Sequence, residues 1–133
     1  NFTYMKTTLL PWILRLIAAG ILLQTLFFKF TGAPESVYIF STLGIEPFGR
    51  IGSGVAELIA AVLLLIPRTT LVGALLSCGV MFGAIASHIL ILGYEVQNDG
   101  GTLFILALIT FICSAALVFI YKNQIFNLLK LKL

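Results

Sequence analysis

SGVAELIAAVLLLIPR, residues 53–68, is apolar almost throughout, yet it carries a carboxylate at Glu57. The apolar run reaches back to Phe48 and stops at Pro67. That length is close to the ~20 residues a helix needs to cross the hydrocarbon of a bilayer. Lipid offers exposed backbone groups no partner, so such a segment is expected to be helical. An ionisable residue at that depth is costly, and it is expected to face the interior of a bundle and meet a partner there.

The rest of the chain agrees with a membrane reading. Of its 133 residues 60% are hydrophobic and 10% charged, and the mean hydropathy is +1.13. Soluble domains hold roughly 45–50% apolar and about 25% charged residues. The length allows a single domain over 1–133. The formal charge of +3 comes from scattered lysines and arginines. No basic patch points to nucleic acid. Asn1 to Tyr4 before Met5 read as a remnant ahead of the natural start, and no cleavable signal peptide is expected.

Four spans are predicted, at about 10–30, 48–66, 70–93 and 102–121, giving an all-α membrane protein built as a four-helix bundle. Pro67-Arg68-Thr69 turns the second span into the third as an antiparallel hairpin. Asn98-Asp99-Gly100-Gly101 supplies turn chemistry between the third and fourth. Lys6, Arg68, Lys122, Lys130 and Lys132 gather on one side. Glu35, Glu46, Glu95 and Asp99 gather on the other, with Arg50 at its edge. The positive-inside rule then puts both termini in the cytoplasm.

Between the first two spans, GAPESVYIFSTLGIEP predicts a short helix at about 34–43. Pro34 suits its first turn and Gly44 its stop. Val37, Phe40 and Leu43 recur at helical spacing. It is expected at the membrane surface, either as an ordinary interfacial helix or as a lid over a pocket.

Within the spans the candidate site residues are Arg15, Lys29, Glu57 and His88. His88 falls ~7 Å and Glu57 ~13 Å below the outer ends of their spans, and Lys29 lies near the outer end of its own. Arg15 starts near the inner side and is expected to complete the set from below. Arg15 and Lys29 are fourteen residues apart, on one helix face with Leu22 and Leu26. Met81, Ala84, His88 and Glu95 form a second stripe. Gln24 is expected to point elsewhere. Each cation could instead extend to the nearer interface, Glu57 could be structural glue, and His88 a satisfied core histidine. Gly79, Gly83 and Ser87, like Gly52, Ala56 and Ala60, repeat a small residue every fourth position, a pattern that lets helices approach closely.

Much chemistry is excluded. A single histidine cannot supply a bis-histidine haem, and no metal-ligand spacing is present. Cys78 and Cys113 lack a CxxC, and a thiol in a span usually behaves as a small hydrophobe. No phosphate-binding glycine loop or nucleophilic triad is evident.

Several of these residues resemble the DoxX family of small bacterial membrane proteins. They are Arg15 at the head of span one, FFKFTGAPE with Lys29, LGIEP before span two, Glu57 with LIAAVLLLIPRTTLVGALL after it, and His88. The resemblance implies a four-helix bundle in the bacterial inner (plasma) membrane with its polar positions turned inward. It also implies a subunit of, or accessory to, a quinone-linked or redox-associated system. Its pocket would hold a small amphipathic ligand, a quinone or a lipid, at Arg15, Lys29, Glu57 and His88. The alternative is a non-enzymatic scaffold or assembly chaperone whose buried charges are structural, working with a membrane protein partner or a second copy. A small transporter is disfavoured by the lack of an inverted repeat.

Overall fold

The computed structural model describes residues 9–96 and 99–122. The expectations for Asn1 to Tyr4, Lys6, Lys130 and Lys132 lie outside the described residues. Helix α1 spans Leu10–Thr31, a short α2 Pro34–Thr42 and α3 Phe48–Leu65. A 3-10 turn, Pro67–Thr69, leads into α4, Thr70–Ser87. Helix α4 widens into a π turn at His88–Leu92, and α5 spans Thr102–Ile120. Four of these segments are long and apolar enough to cross a membrane: α1, α3, the continuous Pro67–Leu92 and α5.

Local chemistry sets the boundaries. Pro11 sits in the first turn of α1, where its missing N–H costs nothing. Gly32 ends the helix in the left-handed region and donates its N–H to Phe28 O, an arrangement glycine adopts without strain. Pro34 begins α2, and Gly44 follows it at φ 78°. Arg50 reaches back to donate to Lys29 O, one of the carbonyls that the end of α1 leaves without a helical partner. Its Nε also holds Glu46 at 2.8 Å.

The four long helices form a ring. Helix α1 packs on α3 and α5, and α4 packs on the same two. The core is built of small and medium side chains: Ala18, Ala19, Leu22, Ala60, Ala61, Leu64, Ala74, Met81, Ala107, Cys113 and Leu117. Leu16, Phe27, Phe82, Ile112 and Phe119 stand exposed on the outside. A bundle with an alanine-rich centre and large apolar side chains outside is organised for lipid rather than water.

Among the glycines of the described residues, Gly73 comes closest to the backbone of another helix. A Cβ there would sit 2.6 Å from Leu64 N and 2.9 Å from Leu63 C. Gly79 and Gly83, whose spacing predicts helix contact, have nothing within 4 Å of where their Cβ atoms would be. That expectation is corrected: the pair opens a space instead of closing one. Across the core, Ser114 and Ser77 join α5 to α4 by a buried hydrogen bond of 2.7 Å.

Candidate functional site

The ring's up-and-down order brings together the end of α1, the first half of α3, the end of α4 and the start of α5. Between them lies a partly open cavity of about 520 Å³. Helix α2 closes part of it with Ser36, Ile39 and Phe40, joined by Leu43 just past its end. The predicted stripe through Val37 is thus turned by about one residue. Ser36 and Phe40 are the buried positions of α2.

Lys29, in the last turn of α1, forms an ion pair with Glu57 Oε1. The Glu57 side chain is 2% exposed and that of Lys29 17%. Thr25 Oγ1 lies 2.9 Å from Glu57 Oε2 and 2.9 Å from Leu22 O. Its hydroxyl has one proton to donate, and the carboxylate is the stronger acceptor. Both oxygens of Glu57 are therefore held by α1. The Phe40 ring centroid lies 5.7 Å from Lys29 Nζ, within reach of a cation–π attraction. An ammonium has three N–H donors, and the ion pair uses one of them.

His88 borders the same cavity. Its Nδ1 lies 3.0 Å from Gly93 O, and its ring meets Phe104 edge-on at 5.5 Å. Asp99, also on the cavity wall, organises the connection into α5. Its Oδ1 accepts from the N–H groups of Val96 at 3.0 Å and Gly101 at 2.8 Å. Its Oδ2 accepts from Leu103 N–H at 3.1 Å. Burial pushes this carboxyl up, but the three N–H donors and the nearby His88 together hold it below the usual aspartate range.

Three of the four candidates, Lys29, Glu57 and His88, share this cavity; Arg15 does not. The expectation that Arg15 completes the set from below is corrected. Its Nε donates to Leu64 O at 2.6 Å, and the guanidinium lies 3.6 Å from the centroid of Trp12. Leu64 is seven residues beyond Glu57, about 10 Å further along α3. Side chains lean toward the N-terminus of their helix, so Arg15 folds away from Lys29. There it satisfies a carbonyl at the negative end of the α3 dipole. Gln24 lines the cavity, against the expectation that it points elsewhere. Glu95 lies beyond the π turn and is exposed, so it leaves the predicted stripe with Met81 and His88.

Thr25, Asp99 and Glu35 also border the cavity and were not among the sequence candidates. Thr25 was within reach of sequence reasoning, since it sits four residues before Lys29 on the same face. Asp99 gave only a turn signal.

A four-helix bundle that keeps an ion pair and a histidine inside one end defines a class, the small multi-pass membrane proteins. The sequence profile of the DoxX-like family matches residues 13–114, about three quarters of the chain. The chain belongs to that family. Comparison with curated proteins and with solved structures gives no match.

Proposed function

We propose that this DoxX-like protein binds a small amphipathic molecule, a quinone or a lipid, within its bundle, as a subunit of or accessory to a quinone-linked or redox-associated membrane system. The observation that carries this reading is the 520 Å³ cavity with Lys29, Glu57 and His88 on its wall. Ligand sites span roughly 300–1,000 Å³, with apolar walls and a few placed polar groups. Lys29 keeps N–H donors for a ligand oxygen, Glu57 balances its charge, and His88 brings an imidazole to the same wall, a group able both to donate and to accept a hydrogen bond. The redox association draws its support from the family. The bacterial inner membrane is what the family resemblance implies, and the charge distribution favours both termini being cytoplasmic: Arg68 and Lys122 lie at the end of the bundle opposite Glu35, Glu46 and Asp99.

A second reading has its own observation. Both oxygens of Glu57 are already held by protein groups, as in a structural ion pair that fixes helix register. The protein would then be a scaffold or assembly chaperone. Native mass spectrometry of the gently purified protein separates the two, comparing wild type with Glu57→Gln and Lys29→Met. A defined small molecule bound to wild type and lost from both variants supports the pocket. No bound molecule, with both variants merely less stable, supports the scaffold.

A further inference from the structure

His88 is tied to Gly93 twice. Its Nδ1 faces Gly93 O at 3.0 Å, and its own carbonyl accepts the Gly93 N–H at 2.6 Å. Gly93 closes this pair of contacts at φ 80°, where glycine is at ease. A carbonyl oxygen only accepts, so Nδ1 carries the hydrogen. In the neutral ring Nε2 is then a bare acceptor. Phe104 packed on the ring opposes a flip that would exchange the two nitrogens. The residue is 5% exposed. Among the described residues no group bonds Nε2, and Nε2 is not among the fully sealed polar atoms. The space that His88 borders is the cavity. An acceptor in such surroundings is costly until a donor arrives.

The charges around the cavity narrow what that donor can be. Glu35, Glu57 and Asp99 border it, against the ammonium of Lys29. Glu57 already neutralises Lys29. Asp99 is held as a carboxylate by three backbone N–H groups. An anionic head group entering here meets net negative charge.

We propose that the cavity takes an uncharged amphiphile with a hydroxyl head, the hydroxyl donating to His88 Nε2, and that it rejects anionic amphiphiles of the same chain length. This rests on the pocket reading above and deepens it to a ligand class. Three probes of one chain length test it: oleyl alcohol, oleyl methyl ether, in which a methyl group replaces the hydroxyl proton, and oleate. Delipidated protein is incubated with all three in equal amounts, and the adducts are counted by native mass spectrometry. The alcohol is expected to exceed the ether by about tenfold, the effect of one hydrogen bond to a buried, otherwise unpaired group. Oleate is expected to fall below the alcohol. His88→Phe keeps a ring against Phe104 and loses both nitrogens. It should level alcohol and ether while total occupancy persists. Should that variant not fold, the wild-type ratio decides alone. Equal occupancy by alcohol and ether overturns the proposal, as does a lead for oleate, and in both cases the pocket itself survives. No adduct with any probe overturns the proposal and the pocket together.

Discussion

Replacing Gly73 by alanine should loosen the bundle far more than the same change at Gly79. At Gly73 the new Cβ would stand 2.6 Å from Leu64 N and 2.9 Å from Leu63 C and Cβ. Unstrained heavy-atom contacts lie near 3.5–4.0 Å, so α3 and α4 must part by about 1 Å. The atoms in the way are largely backbone, which no rotamer change relieves. A gap of ~0.5–1 Å forfeits a quarter to a half of each contact it opens. Overpacking costs about 1–3 kcal/mol, and a backbone clash belongs at the upper end. Arg15 also loses ground, because it bonds Leu64 O at 2.6 Å. Alanine returns about 1 kcal/mol through its better helix propensity, leaving a net loss near 2 kcal/mol. At Gly79 nothing lies within 4 Å, so only the propensity gain of up to ~1 kcal/mol remains. The two variants should differ by roughly 3 kcal/mol in equilibrium unfolding from mixed micelles. Equal stabilities, or Gly79→Ala as the weaker, would refute the assignment of helix contact to Gly73 and open space to Gly79. The enlarged Gly79→Val, whose side chain projects into the cavity, should lower ligand occupancy at little cost in stability.

Arg15→Met removes a charged donor from a buried carbonyl at the end of α3, and should cost about 1.5–3 kcal/mol. It should leave ligand occupancy in native mass spectra unchanged, because Arg15 does not border the cavity; a lost ligand would return Arg15 to the site. Asp99→Ala strips three N–H groups of their acceptor and should cost about 1 kcal/mol, as the loss of a helix cap does. The Asp99 carboxyl is lowered in the folded protein, so its contribution is present above the unfolded value near ~3.9 and is lost as pH falls through the folded one. The stability gap between wild type and Asp99→Ala should therefore stay level from about pH 5 to 7 and close below about pH 4. A gap that widens on acidification would contradict the hydrogen-bond pattern.

Much of the fold was legible in one dimension because its causes are local. Lipid demands internal backbone pairing, so ~20 apolar residues mean a helix, and proline and glycine at 11, 32, 34, 44 and 67 mark where helices begin and end. Leu22 and Leu26 on the Arg15–Lys29 face are buried as periodicity predicts. The need of Glu57 for a partner was equally plain, since a lone charge in a span is too costly to leave unpaired. Which cation meets it was a matter of tertiary structure. Lys29 and Arg15 lie on one face of α1, and only the crossing of α1 over α3 decides that Lys29 reaches Glu57 while Arg15 reaches Leu64 O. The glycines at 73, 79 and 83 look alike along the chain. Packing presses the first against α3 and leaves the other two facing a cavity. Composition and period act within one helix, whereas close approach and empty space belong to pairs of helices, and only their assembled geometry assigns them.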